Sequence, residues 1–281
     1  MIIHTLDTGF FKLDGGAMFG VVPKSIWHKL NPPDADNLCT WAMRCVLIED
    51  GSRLMLIDTG FGDKQSDKFF SYYQPHGSAT LVNSLAKLGY CENDITDVIL
   101  THLHFDHCGG AIKREDNQLI PTFKNAKYWS NQKHWQWATT PNAREKASFL
   151  VENILPIEQS GQLFFVDSTT IIHPDISFIL VDGHTEQMML PMIQQNEKKY
   201  LFMADLCPSV AHVPLPFVMA YDTRPLLSLE EKSKIFNRCV EEEITLILEH
   251  DKDYAAARLK RDETGKICVA DRSSFITFAT A

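Results

Sequence analysis

Four potential metal ligands stand within six residues of this 281-residue chain, in the segment Thr101-His-Leu-His-Phe-Asp-His-Cys-Gly-Gly110. They are His102, His104, Asp106 and His107. The short apolar run 98–100, which precedes the segment, predicts a strand. In an extended backbone alternate residues point to the same side, so the first two histidines project together. The last two ligands, placed beyond a turn, can face a second point nearby. This spacing predicts a site for two adjacent metal ions at the end of a strand.

Three further polar residues stand where a buried apolar run ends: His184 follows FILVDG, Asp205 follows YLFMA and His250 follows TLILE. Each one alone fits an ordinary loop residue, and the histidine-rich segment alone fits a solvated turn. Their combination favours ligands at a sheet edge, where α/β folds build binding sites. Imidazole and carboxylate groups suit Zn²⁺, Fe²⁺ or Mn²⁺. Behind the cluster, Gly109 and Gly110 are expected to let the backbone turn sharply.

Short apolar runs alternate with amphipathic stretches along the whole chain, and no repeat or linker marks a domain boundary. Strand pairs in both halves with helices between them predict one α/β domain over residues 1–281, with buried sheets inside and helices outside. The predicted strands are 42–48 and 54–57 (a hairpin), 98–100, 163–166, 177–181, 200–204 and 245–248. The predicted helices are 78–88, helices within 131–156, and 229–242.

Composition excludes several classes of partner. Lys and Arg number 27 against 36 Asp and Glu, which gives a net charge of −9, whereas nucleic-acid-binding domains usually carry a basic face. No apolar stretch approaches the roughly 20 residues of a membrane-spanning helix. The seven cysteines include no C-x-x-C pair, and the start lacks the basic region of a signal peptide. We therefore predict a cytoplasmic protein without nucleic-acid or membrane partners.

The histidine cluster and the ordered polar residues after it resemble the metallo-β-lactamase-fold hydrolase superfamily. The resemblance implies an αββα four-layer sandwich, with mixed β-sheets inside, helices outside and a two-ion site at the sheet edge. It assigns one ion to His102, His104 and His184, the other to Asp106, His107 and His250, and the bridging position to Asp205. Leu56-Ile-Asp-Thr-Gly60 resembles the early strand-end motif of the superfamily. By this analogy Asp58 orients a metal ligand from behind.

The string T-H-L-H-F-D-H and the segments 11–34 and 204–222 are most similar to the branch of N-acyl homoserine lactonases and methyl parathion hydrolase-like enzymes. This implies two divalent ions, with Zn²⁺ favoured over Fe²⁺ or Mn²⁺. A bridging hydroxide would attack an ester-type bond in a small molecule, with a lactone favoured, and Asp106 would move the proton to the leaving group. The alternatives are a phosphotriester or arylester hydrolase and a non-catalytic metal-binding or sensing module.

One position departs from the lactonase pattern. Those enzymes carry a tyrosine three residues after the bridging aspartate, where it hydrogen-bonds the lactone carbonyl, and this chain has Pro208 there. Tyr221 is the candidate that could supply a phenol from farther along the chain. His212, close in sequence to the bridging residue, is predicted to support a ligand or to face the substrate.

Aromatic side chains are frequent in the segments expected to cover the site. The predicted pocket residues are Phe19, Phe69, Phe70, Tyr72, Tyr73 and Phe217. An apolar pocket above a polar metal floor would suit an acyl chain or an aryl leaving group. The run 69–73 would serve equally well as the interface of a homodimer.

Overall fold

The fold begins with three antiparallel strands. The computed structural model describes residues 1–167, 169–274 and 277–279. The three strands are β1 (Ile2–Asp14), β2 (Leu38–Asp50) and β3 (Arg53–Ile57). Asp50 of β2 pairs with Arg53 of β3, so the turn has Gly51, with a φ of 58°, as its first residue. Two-residue hairpin turns favour a left-handed residue there, which glycine adopts without steric cost. The predicted hairpin is confirmed.

The remaining strands complete two mixed sheets and a small ribbon. In chain order they are β4 (Asp97–Ile99), β5 (Ile112–Glu115), β6 (Gln118–Pro121), β7 (Lys127–Ser130), β8 (Leu163–Phe165), β9 (Ile176–Val181), β10 (Met188–Gln195), β11 (Lys198–Phe202), β12 (Thr245–Ile247), β13 (Ala256–Arg261), β14 (Ile267–Ser273) and β15 (Thr277–Ala279). The first sheet has the order β15-β1-β2-β3-β4-β7-β8 and the second β14-β13-β12-β11-β10-β9, while β5 pairs with β6.

Helices lie on the outer faces of the two sheets. They are α1 (Gly15–Phe19), α2 (Lys24–Trp27), α3 (Asp67–Tyr73), α4 (Leu81–Lys87), α5 (Phe105–Cys108), α6 (Gln132–Thr139), α7 (Val151–Gln159) and α8 (Pro225–Glu241). Among the described residues, none of these helices is both long and apolar enough to cross a bilayer.

Alternate side chains of β2 point into two different hydrophobic cores, one on each face of the first sheet. Val46 and Ile48 share a buried core with Leu201 of the second sheet. Cys45 and Leu47 belong instead to a core that includes residues of α4, α6 and α7, as expected for a strand with both faces buried. On the far side of the second sheet, α8 packs against β13. The layers are therefore helix, sheet, sheet, helix, and the predicted αββα sandwich is confirmed.

Two predicted helices differ at their ends. The side chain of Thr80 caps α4 by accepting a hydrogen bond from the amide of Asn83 at 3.1 Å, so this helix begins after the predicted position. The last helix, α8, begins earlier than predicted, with Pro225 in its first turn. Proline suits this position because the first amides of a helix have no intrahelical partner.

The directions of the strands bring several carboxyl ends to one edge. β3 runs parallel to β4 in the first sheet, and β11 runs parallel to β12 in the second. β9 runs in the same direction as β11, because each is antiparallel to β10. The polar residues that follow these strands consequently meet at the edge of the sandwich.

Candidate metal centre

Three buried imidazoles, His102, His104 and His184, converge beyond the ends of β4 and β9, and we call them the first ligand set. Nε2 of His102 lies 3.1 Å from Nδ1 of His104, and Nε2 of His184 lies 3.2 Å from the same atom. A tetrahedral zinc ion with Zn–N bonds of about 2.0–2.1 Å holds its ligand atoms about 3.3 Å apart. The spacing therefore fits one such ion.

A second group, Asp106, His107 and His250, lies beside the first, and we call it the second ligand set. Nε2 of His107 lies 3.2 Å from Nε2 of His250. Oδ2 of Asp106 is 3.8 Å from the imidazole of His250 and 3.9 Å from that of His107. Helix α5 starts directly after His104 and carries the first two members of this set. One tight turn thus separates the ligands of the two sets.

Asp205 lies between the two sets. Its Oδ2 is 3.0 Å from Nε2 of His184, and its Oδ1 is 3.0 Å from Nε2 of His250. Burial alone would raise the pKa of Asp205, but the charges on His107, His184 and His250 hold it well below its usual range. The preceding residue, Ala204, has a φ of 40°, which is costly for a residue with a Cβ. This strained backbone directs one carboxylate oxygen toward each set.

The outer nitrogens of the imidazoles show that these residues fit metal ions. Nδ1 of His184 lies 2.8 Å from a carboxylate oxygen of Asp222, and Nδ1 of His250 lies 2.7 Å from the carbonyl of Ala42. Because those oxygens only accept, each Nδ1 donates a proton, and in the neutral imidazole Nε2 is left with a lone pair for a metal ion. Each Nε2 faces the carboxylate of Asp205, a contact that requires a positive charge between them, either a metal ion or a proton on Nε2. The donor set suits divalent zinc, iron or manganese.

Asp58 lies behind ligands of both sets, directly after β3. Its Oδ2 accepts a hydrogen bond from Nδ1 of His107 at 3.0 Å. It also accepts the hydroxyl of Thr101 at 2.6 Å, and that hydroxyl lies 3.1 Å from Nδ1 of His102. Carboxylates in this position fix the orientation of metal-binding imidazoles. Asp58 is therefore positioned to orient His107 directly and His102 through Thr101.

Three carboxylates behind the ligands are absent from the sequence-based prediction. Oε2 of Glu249 lies 3.0 Å from Nδ1 of His107, and burial raises the pKa of Glu249 to about 8. Asp222 contacts His184, as described above. Oε1 of Glu145 lies 3.6 Å from Nε2 of His104. Glu249 directly precedes a ligand at a strand end, a signal that could have found it, whereas the other two lie in loops without a recognisable pattern.

Glu145 is held in place by two side chains from the same region of the chain. Trp137 donates its indole N–H to Oε2 of Glu145 at 2.7 Å, and Asn142 donates its amide to the same oxygen at 2.6 Å. Burial alone would raise the pKa of Glu145, but its contacts with His104, Thr185 and Asn142 lower it to about 2. The carboxylate is thus a fixed negative charge beside the first ligand set.

Gly109 and Gly110 have a different role from the predicted one. Gly109 has a φ of −58°, which any residue adopts. A Cβ on Gly109 would lie 2.1 Å from the carbonyl oxygen of Phe61, and one on Gly110 would lie 2.3 Å from that of Thr59. The glycines are therefore required for close approach of the 59–62 loop, whose Thr59 amide donates to the carbonyl of His107 at 2.7 Å.

A cavity of about 310 Å³ opens onto members of both ligand sets and onto Asp205. Its other lining residues are Leu13, Ala17, Met18, Tyr73, Phe105, Arg144, Glu145, Ser148, Met219, Ala220 and Tyr221. Burial and the charge of Asp106 raise the pKa of Tyr73 to about 12, and burial also raises the pKa of Tyr221. Both phenols consequently stay protonated at neutral pH and can donate hydrogen bonds into the cavity.

Several predicted pocket residues lie elsewhere. The side chains of Phe69 and Phe70 lie on the face of α3 that packs around Phe61 in an aromatic cluster. Tyr72, on the opposite side of the same helix, is 61% exposed. Of the five residues in this run, Tyr73 is the one that lines the cavity. The prediction was wrong for the other three aromatics because consecutive residues of a helix point in different directions.

Phe19, Phe217 and His212 also lie away from the cavity lining. Phe19 is buried, and its ring stacks on that of His212 with 4.7 Å between the ring centroids. The ring of Phe217 packs at right angles to the ring of Phe19, with 6.3 Å between the centroids. The two ring nitrogens of His212 contact the hydroxyl of Ser209 at 2.8 Å and the carbonyl of Met18 at 2.9 Å. The predictions that Phe19 and Phe217 line the pocket and that His212 supports a ligand or faces the substrate are thus corrected. The three residues pack around α1, which borders the cavity.

A two-sheet sandwich with clustered histidines and aspartates at its edge defines a class of metal-dependent hydrolases. The family model of the metallo-beta-lactamase superfamily matches residues 44–242. The chain therefore belongs to the metallo-beta-lactamase superfamily.

Individual relatives agree with this assignment. An N-acyl homoserine lactonase of Bacillus cereus is 24% identical over 171 residues, a match that spans 57% of this chain and 60% of that relative. The crystal structure of a probable metal-dependent hydrolase from Staphylococcus aureus is 28% identical and superposes with a TM-score of 0.88 over 99% of this chain and 98% of its own. AidC, a dizinc quorum-quenching lactonase, shares the fold at 20% identity, with a TM-score of 0.79 over 97% and 95% of the two chains.

Proposed function

We propose that this protein is a dinuclear metal-dependent hydrolase of ester-type bonds, with a lactone as the favoured substrate and zinc as the favoured metal. The observation that carries the proposal is the position of Asp205, which directs one oxygen to each ligand set at 3.0 Å. Because the ligands come from both sheets, we also propose that residues 1–281 act as a single domain. The lactonases among its relatives support the choice of substrate.

Divalent ions held by these ligands would supply Lewis acidity for the activation of a water molecule and the polarisation of the substrate carbonyl. The residues of the chain do the remaining work. Asp205 keeps the two ligand sets at a fixed separation. Asp106, which lines the cavity, is positioned to hold a proton and to deliver it to the leaving oxygen. Hydrolysis then adds water across the acyl–oxygen bond.

Two phenols are candidates for the hydrogen bond to the substrate carbonyl. Tyr221 and Tyr73 both line the cavity, and Pro208 stands where the lactonases have their tyrosine. We propose Tyr221 as the donor, with Tyr73 as the matched comparison. Replacing each one by phenylalanine removes only a hydroxyl, and Tyr221→Phe is expected to lower kcat about tenfold more than Tyr73→Phe does, the value of one hydrogen bond.

Two other functions fit parts of this arrangement. An arylester or phosphotriester hydrolase would use the same centre and would need no tyrosine at Pro208. A non-catalytic metal-binding module would need neither the cavity nor a carboxylate shared by two ligand sets, and both features argue against it.

The test is a substrate panel on the purified protein. Metal content is measured by inductively coupled plasma mass spectrometry. Hydrolysis is then followed for an N-acyl homoserine lactone, γ-butyrolactone, phenyl acetate and paraoxon, before chelation, after chelation and after readdition of Zn²⁺, Mn²⁺ or Fe²⁺. We expect two ions per chain and metal-dependent turnover, fastest with a lactone. Two bound ions without turnover of any substrate would support the non-catalytic module instead.

A further inference from the structure

Arg144 stands out in the cavity wall because it is a cation beside a metal centre. It lines the cavity together with Tyr73, Phe105 and Tyr221. Its side chain is exposed, whereas its neighbour Glu145 is buried against His104. Arg144 is not part of either ligand set, and the proposed hydrolysis gives it no role.

The guanidinium of Arg144 is anchored on one side. Its Nη2 donates to the carbonyl of Ala220 and lies 3.4 Å from the carbonyl of Asp222. Within the part of the chain that the structure describes, the hydrogen bonds of this side chain all use Nη2, so Nε and Nη1 remain for a ligand. An anchored, planar guanidinium loses less conformational entropy on binding than a mobile one does.

Two acidic residues next to Arg144 or its hydrogen-bond partners have carboxylates that are engaged elsewhere. Glu145 accepts from Trp137 and Asn142, and the carboxylate of Asp222 contacts His184. The guanidinium charge is therefore not neutralised by either of them. Among the described residues of the lining, Arg144 is the one Lys or Arg side chain, whereas the lining carboxylates are Asp106, Asp205 and Glu145. A negatively charged group of a ligand would therefore find its cationic partner at Arg144.

From this cation and its free donors we propose that the substrate is an ester or lactone that also bears a carboxylate, which Arg144 binds through Nε or Nη1. A hydrogen bond from a charged guanidinium to a carboxylate is about twice as strong as one between neutral groups, so Arg144 favours a charged substrate. The inference rests on the proposed hydrolase function and names the class of substrate for the same cavity.

The experiment uses substrate pairs that differ by one carboxylate. Phenyl acetate is compared with 2-, 3- and 4-acetoxybenzoate, which place the charge at three distances from the same ester. γ-Butyrolactone is compared with 5-oxotetrahydrofuran-2-carboxylate. For each pair the readout is the ratio of kcat/KM for the charged substrate to that for the neutral one. A ratio cancels changes in metal content or in the fraction of active enzyme.

For the metal-loaded wild type we expect at least one charged substrate to be preferred about tenfold or more. Arg144→Gln should lower that ratio about 10- to 100-fold, the usual range for a hydrogen bond to a charged group. Arg144→Lys should keep part of the preference, since it retains the charge without the planar fork. Arg224→Gln is the matched control, because this arginine pairs with Glu186 at 2.6 Å and does not line the cavity. Its ratio should equal that of the wild type.

An unchanged ratio in Arg144→Gln for every pair would overturn the inference and reduce Arg144 to an anchor for the 220–222 segment. A purely structural role would slow charged and neutral substrates equally. Failure of the proposed function gives a different result, because then no ester or lactone, charged or neutral, is hydrolysed by the metal-loaded wild type.

Discussion

The two ligand sets are nearly equal in burial but differ in what holds them from behind. Glu249 and Asp58, behind the second set, lie within two residues of the ends of β12 and β3, and His250 also contacts the backbone of β2 through Ala42. Apart from the contact of Asp58 with His102 through Thr101, the first set is supported by Glu145 and Asp222, which lie in loops outside the strands and helices. One half of the centre therefore depends mainly on strand ends, and the other half depends mainly on the loops that border the cavity.

This difference indicates which part of the centre is expected to determine metal affinity and which part is also expected to affect substrate binding. Supports at strand ends cannot move without disturbing the core, so the second set is expected to bind its ion more tightly. The loops that support the first set also line the cavity through Arg144 and Tyr221. Changes in these loops are therefore expected to affect the proposed substrate binding and the proposed first ion together. Loops positioned by a rigid scaffold commonly have this role.

Asp205→Asn has the largest expected effect, because it alters both sets at once. The amide has the shape of the carboxylate but lacks its charge, and its NH₂ group would face one ion. We expect both ions to be lost in part and kcat/KM to fall more than about 10³-fold, because a metal ion supplies several kcal/mol of charge stabilisation. Metal analysis together with kinetics tests this. Two ions with full activity would show that Asp205 is not shared.

His104→Ala separates the two sets. The first set should lose its ion, the second should keep one ion per chain, and kcat should fall at least about 10²-fold. The matched control is His212→Gln, since this buried histidine contacts Ser209 and Met18 rather than a ligand. We expect the control to keep two ions. Loss of both ions from His104→Ala would contradict the independence of the second set.

Glu145→Gln and Glu249→Gln compare the supports directly. Changing a hydrogen-bonding partner behind a metal ligand costs about 10- to 100-fold in metal affinity. We expect each variant to weaken the ion of its own set, Glu145→Gln the first and Glu249→Gln the second. Competition with a chelator, followed by the visible spectrum of Co²⁺-substituted protein, distinguishes the two ions. If both variants released the same ion first, the comparison would fail.

Trp137→Phe has the smallest expected effect. It removes the indole hydrogen bond to Glu145, worth about 1 kcal/mol, and should weaken the first ion about fivefold while leaving the second unchanged. Trp129→Phe serves as the control, because it removes a similar bond of 2.8 Å to Asp97 at a distance from the centre. Chelator competition measures both. Equal effects of the two variants would indicate a general loss of stability rather than support of His104.

Much of the centre was predictable because its ligands stand at strand ends. An apolar run followed by a histidine or aspartate, as at His184 and Asp205, marks both the strand and the edge where it stops. The seven predicted ligands accordingly come together in two groups with one carboxylate between them. Loop residues such as Glu145 carry no comparable pattern, because their positions depend on tertiary contacts.

The strands that the sequence analysis did not predict show the same limit. In β1 the pairing with β2 shifts between Asp7 and Phe10, so the alternation of apolar residues that marks a half-buried strand is interrupted. β10 contains Pro191, yet it pairs with β9 on one side and β11 on the other. Proline normally argues against such a central strand. Pocket aromatics failed for another reason, since composition does not reveal which face of α3 turns inward.

The close contact of Gly109 and Gly110 with the 59–62 loop has a practical consequence for protein engineering. At these two positions even a methyl group would collide with backbone carbonyl oxygens, so libraries built for directed evolution should leave them untouched. Sequence variation should be introduced in the cavity loops, where new side chains can extend into solvent. The contact of the two glycines with the 59–62 loop must therefore stay unchanged, whereas the cavity loops can be varied, and selection for altered substrates should begin in those loops.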